Sequence, residues 1–408
     1  MSVRKRTWTT KGIEHTGWQV DYLDQNGVRR RKLFSKAVGG KTARDQARDF
    51  DKRAGAEVLD GTHVPDSETI TIAEAGKLWL KSGAAANLER STLDQRDQHL
   101  RLHIGPLAGT TKLNKITTPW VRSFQDDLRE SGRSTAMIKR ITVSLGSILA
   151  DAQGRGLVVR NAVHEMSRAR SGSKAQEKRS KAKLQVGIDL PSNDEVRAIL
   201  AATTGRYRAA IVTLLFTGLR SSELRALFWE DVDLKKALVT VRRRVDRYGE
   251  IGMPKSEAGQ RTIPLLPMVV NVLREWKLAC PKSELGLVFP TSAGTVEPHQ
   301  NLLQRGWMPT LLAAGVSAPN GKVDEKGEPI LVAKYSGLHA ARHWFASWCA
   351  NRKEEGGLEL SPKQLQTRMG HSSIQVTYDT YASLFPIVDE AAAMEAAQSA
   401  LLGRTSGT

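Results

Sequence analysis

Two motifs constrain what this chain can fold into more than any other feature, because their chemistry makes sense only if distant parts of the chain meet. The first lies in residues 338–381. It reads Leu338-His339-Ala340-Ala341-Arg342-His343, then Arg368-Met369-Gly370-His371-Ser372-Ser373, then Thr377-Tyr378-Asp379-Thr380-Tyr381. His339 and Arg342 are three residues apart, so a helix over this stretch shows both on one face. Gly370 can take the left-handed backbone that ends a helix, which places His371 at a helix junction. Cationic and imidazole groups around a tyrosine hydroxyl suit attack of that hydroxyl on a phosphate. Taken singly, each piece is ordinary. A His-x-x-Arg pair is usually a solvated helix face, and an isolated tyrosine is usually core or surface.

The second motif is Thr217-Gly218-Leu219-Arg220-Ser221-Ser222-Glu223-Leu224, far upstream. Between the two lies Pro254-Lys255-Ser256-Glu257-Ala258-Gly259-Gln260-Arg261-Thr262-Ile263-Pro264-Leu265. Together and in this order, the pieces resemble the tyrosine recombinase, or phage-integrase, family. That family carries T-G-x-R-x-x-E-L, a β-hairpin lysine, H-x-x-R, G-H and then a tyrosine. The resemblance implies that Tyr381 is the nucleophile, leaving a 3′-phosphotyrosyl bond and a free 5′-hydroxyl. Arg220 and Arg342 then grip the non-bridging oxygens, for which a planar guanidinium is suited. His371 adds a hydrogen bond, His339 accepts or shuttles the tyrosine proton, and Lys255 protonates the leaving oxygen. Glu223 orients the cations as a supporting carboxylate. Tyr378 also follows His371, but Asp379-Thr380-Tyr381 followed by Ala382-Ser383-Leu384 matches the family ending better. Many members have the tyrosine one residue nearer the Gly-His pair. His343 is expected to point elsewhere on its helix and to be structural.

Charge agrees with a nucleic-acid partner. The 408 residues carry 61 Lys and Arg against 43 Asp and Glu, a formal net charge of +18. Such an excess favours a polyanion, because neutralised phosphates release counterions. By itself it does not separate DNA from RNA or an anionic membrane. No apolar run approaches a membrane span, and the basic N-terminus lacks the apolar core of a signal peptide. A cytoplasmic location, nucleoid-associated on DNA, is expected. The two cysteines, Cys280 and Cys349, suit a reducing compartment and suggest neither a disulfide framework nor a zinc site. No carboxylate–histidine cluster calls for a metal, and no cofactor is expected.

The expected fold class is multidomain α+β. Residues 1–62 read as a small sheet with a helix. Trp18, Val20 and Tyr22 alternate with polar residues, Asn26-Gly27 marks a hairpin turn, and Arg29, Arg30, Arg31 and Lys32 lie on the returning strand. Ala43, Ala47, Phe50, Ala54 and Val58 then recur at helical spacing. The unit resembles the three-stranded arm-type DNA-binding domain of many phage integrases, with Arg29, Arg30 and Arg31 as groove-contact candidates. Residues 67–165 read as an all-α module, with Thr71 and Glu74 as a capping box and starts at Ser91, Thr118-Pro119 and Ser134. In the family this place is held by the helical, SAM-like core-binding domain, and Lys139 and Arg140 are its DNA-contact candidates. A basic linker follows at 166–189. The catalytic domain at 190–386 is expected to be mainly α, with one small antiparallel sheet from segments near 237–244, 249–253 and 260–264. The stretch 317–336 reads as a polar surface loop, and 387–408 as an alanine-rich C-terminal helix and tail.

The resemblance implies an integrase that recombines double-stranded DNA attachment sites as a homo-tetramer through a Holliday junction, integrating or excising a mobile element. A DNA-bending host factor and an excision factor are expected partners. One alternative is a Xer-type dimer resolvase, although such proteins generally lack an extra N-terminal unit. Another is a DNA-binding relative that has lost catalysis, which would lack an arginine or the tyrosine. A metal-dependent nuclease is disfavoured by the missing carboxylate cluster.

Overall fold

The computed structural model describes residues 2–24, 27–37, 40–60, 63–65, 69–171, 184–385 and 390–402. The linker residues Lys174, Lys178, Arg179, Lys181 and Lys183 lie outside this set. Chain contacts divide the molecule into two compact units, Met1–Ser180 and Lys181–Thr408.

The first unit contains two separate apolar cores. An antiparallel sheet runs in the order β1 (Ser2–Thr10), β2 (Ile13–Leu23), β3 (Arg29–Phe34). Its two-residue period turns Val20 and Tyr22 toward helix α1 (Ala43–Leu59), where they meet Ala47, Phe50 and Ala54. Six helices follow: α2 (Ile72–Ala85), α3 (Arg90–His99), α4 (Gly105–Ala108), α5 (Thr118–Glu130), α6 (Thr135–Gly154) and α7 (Ala162–Ser171). Thr71 and Glu74 form the reciprocal capping box at the start of α2, and Ser134 caps α6. Ser91 does not cap α3. The residue before that helix is Glu89, which makes no side-chain cap, and Ser91 sits inside the first turn. α7 extends into the stretch read as a linker because Val163 and Met166, three apart, are buried in the helical core. That core includes Ile72, Trp79, Phe124, Leu145 and Ile148. Burying each such side chain stabilises by roughly 1.5–3 kcal/mol relative to exposure.

The second unit is built around one large core. It contains α8 (Asn193–Ala202), α9 (Arg208–Thr217) and α10 (Ser221–Arg225). Every residue of α9 from Ala209 to Thr217 is buried, as a helix apolar on all sides demands. Strands β4 (Val232–Asp233), β5 (Leu238–Val241), β6 (Arg244–Val245), β7 (Ile251–Gly252) and β8 (Arg261–Pro264) come next. They make two sheets rather than one: β4-β5-β8, and the separate hairpin β6-β7. The break falls at Arg242 and Arg243, which leave the ladder to pair with buried Asp231. Then come α11 (Pro267–Ala279), α12 (His299–Asn301), a π-helical stretch (Leu302–Trp307) and α13 (Met308–Ala313).

The stretch read as a polar loop is instead a hairpin of β9 (Ser317–Val323) and β10 (Pro329–Ala333). Asp324 makes the turn, its carboxylate accepting from Lys326 and Glu328 N–H, with Gly327 at φ 82°. The apolar run Ile330-Leu331-Val332 supplies the return strand. Three helices, α14 (His339–Ala350), α15 (Pro362–Met369) and α16 (Ile374–Tyr381), pack in succession onto the core. α17 (Glu390–Leu402) ends the described chain, with Met394, Leu401 and Leu402 exposed.

Candidate active site

Two glycine turns bring the motifs together. α9 ends at Gly218 with φ 61°, and a Cβ there would come within 2.3 Å of the Phe345 ring. Both the backbone angle and the space therefore require glycine. The chain reverses, and Arg220 becomes the residue before α10. Glu223, in the first turn of α10, reaches back to the Arg220 N–H at 2.9 Å and to its guanidinium at 2.7 Å. α15 likewise ends at Gly370, φ 65°, which sets His371 at the junction before α16.

Arg342, on α14, is 2% exposed. It donates to the carbonyls of Gly218 and Met369 and to His371 Nε2, the last at 3.2 Å. Two carbonyls left over by glycine-ended helices thus fix one guanidinium. Arg220 Nη2 donates to Gly370 O at 3.3 Å. Arginine only donates, so His371 Nε2 accepts, and its Nδ1–H is directed to Thr377 Oγ1 at 2.9 Å.

Glu223 is 3% exposed and serves two arginines. Burial alone would raise its carboxyl, but Arg261 and then Arg220 outweigh burial and hold it below the usual range. Arg261 Nη2 binds Glu223 at 2.9 Å, while Nε and Nη1 donate to Arg368 O and Gly259 O at 2.8 and 2.9 Å. Sequence reading assigned Arg261 to a motif but gave it no part in the site.

Tyr381 ends α16 and is 2% exposed, whereas Tyr378 is 47% exposed. Burial raises the Tyr381 phenol pKa, opposed by Arg342 and Arg220. Its ring stacks on His371 with centroids 5.8 Å apart, and its hydroxyl lies 3.1 Å from His343 Nδ1. His343 therefore points into the cluster, contrary to the expectation from its place beside Arg342. The available signal was the four-residue spacing to His339, which puts both imidazoles on one face of α14; their rings meet at 4.8 Å. Burial, then neighbouring His343 and the arginines, lowers the His339 pKa to about 4. Burial, then Arg342 and Arg220, does the same to His371.

Lys255 is exposed on the segment between β7 and β8. Lys139 and Arg140 are exposed on α6. Arg29, Arg30 and Arg31 divide by strand alternation. Arg30 turns to the α1 side and pairs with Asp24 at 2.8 Å. Arg29 and Arg31 share the opposite face with Arg4 and Arg6 of β1, which the sequence reading did not single out although their two-residue spacing marks one face. There Asp21 pairs with Arg4 and Arg31, and Gln19 links it to Arg6.

The cluster thus sets a buried tyrosine hydroxyl beside two guanidinium groups and three imidazoles on a helical core. Residues 192–386 match the phage integrase family, and the likeness to tyrosine recombinases and integrases supports site-specific DNA recombinase activity. It is 26% identical over 390 residues to a tyrosine recombinase XerC-like protein of Caldanaerobacter subterraneus subsp. tengcongensis, covering 89% of this chain and 90% of that protein. Prophage integrase IntR of Escherichia coli K12 is 31% identical over 199 residues, 47% of this chain and 46% of that protein. The ICEBs1 integrase of Bacillus subtilis is 22% identical over 287 residues, 70% of this chain and 71% of its own. The fold is shared with the Tn1549 transposon integrase in complex with transposon right end DNA, at 19% identity and TM-score 0.62, over 81% of this chain and 100% of that one. It is also shared with a lambda integrase dimer bound to a COC′ core site, at 17% identity and TM-score 0.52, over 94% and 97% of the two chains.

Proposed function

We propose that this chain is the integrase of a mobile element, and that Tyr381 Oη attacks the scissile phosphate of each attachment-site strand. The Oη–P bond forms, the P–O5′ bond breaks, and the strand is held as a 3′-phosphotyrosyl ester whose bond energy drives religation to a new partner. Arg220 and Arg342 bind the non-bridging oxygens and hold the charge of the phosphorane. His371 contributes a hydrogen bond to the same oxygens once its Nε2 leaves Arg342 and carries the ring proton, the Thr377 hydroxyl then donating to Nδ1. Lys255 comes in from its exposed segment to protonate the leaving 5′-oxygen. Glu223 fixes Arg220, and His339 takes part in moving the tyrosine proton. The observation that carries this reading is the burial of the Tyr381 hydroxyl within the arginine–histidine cluster while Tyr378 faces solvent.

The rest of the chain supplies grip on DNA. Residues 1–62 act as the arm-binding domain through the sheet face bearing Arg4, Arg6, Arg29 and Arg31, and residues 67–165 bind the core site with Lys139 and Arg140 on α6. The basic segment 166–189 follows the phosphate backbone between them and the catalytic domain at 190–386. Four copies assemble on two sites through a Holliday junction. The exposed apolar residues of α17 support docking of this helix on a neighbouring copy, and a DNA-bending host protein and an excision factor assist. Among the described residues no helix is long and apolar enough to cross a membrane, and association with the nucleoid follows from DNA binding.

The test is covalent trapping. Attachment-site DNA nicked beside the cleavage point is incubated with wild type, Tyr381→Phe and Tyr378→Phe, with chelator present, and run on a denaturing gel. A DNA-linked band missing only in Tyr381→Phe is expected. Loss only in Tyr378→Phe would refute the assigned nucleophile, and a wild type that binds the site but forms no adduct would refute catalysis.

A further inference from the structure

Each group around the Tyr381 hydroxyl can be asked whether it can take a proton. Arg342 and Arg220 have no lone pair to offer. Both act on the phenol as cations that favour loss of its proton, so the O–H hydrogen must be directed elsewhere. Both ring nitrogens of His371 are engaged, Nε2 by Arg342 at 3.2 Å and Nδ1 by Thr377 at 2.9 Å. Its ring lies nearly parallel to that of Tyr381, with planes 8° apart, so it presents a face rather than a nitrogen to the phenol. Glu223 is held by Arg220 and Arg261. His343 Nδ1 alone among these groups stands at hydrogen-bond distance, 3.1 Å, with an accepting lone pair.

We infer that His343 is the general base for Tyr381 and, in the reverse direction, its general acid. This rests on the reading of Tyr381 as nucleophile. As Oη bonds to phosphorus, its proton passes to His343 Nδ1, giving an imidazolium. The P–O5′ bond breaks, and the leaving oxygen takes its proton from a different donor. On religation, a 5′-hydroxyl attacks the phosphotyrosine and His343 returns the proton to Oη. His339, whose ring meets that of His343 edge to face at 4.8 Å, supports the imidazole without touching the phenol oxygen.

The charged and titratable groups around His343 suit this cycle. On its own helix, Arg342 adds to burial in keeping the imidazole neutral, and His339 packs on its ring. From the turn before α8, Asp189 acts in the opposite sense and favours the imidazolium once it forms. Tyr381 itself faces Nδ1 from α16, backed by His371. A base held neutral beside a phenol whose pKa is raised accepts a proton as negative charge leaves the oxygen for phosphorus.

Single-turnover cleavage of nicked site DNA over about pH 6 to 9 reads the role. His343→Asn is expected to lose roughly 10²- to 10⁴-fold at neutral pH, the usual size of a general-base contribution. Its rate should climb about tenfold per pH unit as hydroxide takes over the proton, while the wild-type profile stays near level. A second substrate with sulfur at the 5′-bridging position needs no proton on its leaving group. It should rescue Lys255→Ala and leave His343→Asn slow. Rescue of His343→Asn by sulfur would place its role at the leaving oxygen and overturn the inference. So would a wild-type rate and profile in His343→Asn, or a climbing profile in His339→Asn with His343→Asn unaffected. Should His343→Asn bind the DNA poorly, His343→Gln is read by the same profile. Tyr381→Phe run alongside separates the two layers, since adduct formation in that variant removes the nucleophile assignment itself.

Discussion

Replacing Arg261 by methionine tests how the site is held together. The two side chains are of similar length, so the change removes charge and hydrogen bonds with little loss of packing. Glu223, 3% exposed, then keeps Arg220 but loses the partner that most offsets its burial. Removing one member of a buried ion pair costs about 3–5 kcal/mol. The orphaned carbonyls of Gly259 and Arg368 add about 1 kcal/mol each, giving an expected loss of roughly 5–7 kcal/mol. The pH dependence has a definite sign. In wild type the Glu223 pKa is depressed, so its contribution is present above the unfolded-state carboxyl pKa and is lost as pH falls through the folded value. In Arg261→Met the folded pKa rises, so at neutral pH the variant bears the cost of a poorly paired anion that protonation relieves. Urea unfolding of the full chain at about pH 7 and about pH 5 should therefore show a stability gap that narrows toward acid. Cleavage should fall as well, because Glu223 fixes Arg220 through two contacts. A gap under about 1 kcal/mol, or an equal gap at both pH values, would refute the claim that Arg261 is what keeps Glu223 ionised.

Further outcomes are checked more briefly. Gly218→Ala forces a left-handed backbone on a side chain whose Cβ meets the Phe345 ring at 2.3 Å; calorimetry should show a loss of about 2–4 kcal/mol. His371 is kept neutral by burial, its pKa near 4. With the folded pKa below the ordinary histidine value, its contribution to stability is present above about pH 6.5 and fades as pH falls toward about 4, and His371→Asn should flatten that part of the acid unfolding curve. Arg4→Gln with Arg31→Gln should weaken DNA binding about equally across sequences and reduce the slope of log K against log salt by up to about 2, measured by anisotropy titration at several salt concentrations. An unchanged slope would show that this sheet face does not meet phosphate.

What the amino-acid order determines here is local. Thr71 with Glu74, Ser134 and Ser192 start helices because each oxygen meets backbone N–H groups within its own first turn. Gly218 and Gly370 stop helices because φ near 60° is cheap only for glycine. These positions deliver Arg220 and His371 to helix ends, so the motif order and the resemblance it carries are legible in the amino-acid order itself. The same local logic misled at Ser91, where nearby Glu89 takes the boundary. It also misled at 242–243, where pairing of Arg242 and Arg243 with Asp231 splits an expected sheet in two. Which tyrosine hydroxyl is enclosed, which imidazole it meets, and which arginine keeps Glu223 charged were decided only by packing. Tyr381 and His343 are 38 residues apart, and Arg261 and Glu223 are also 38 apart. Such pairs are set by how α10, β8, α14 and α16 close on one core, where burial removes water as a competing partner. Desolvation then makes each remaining donor and acceptor find its mate, and no periodicity along the chain encodes that choice.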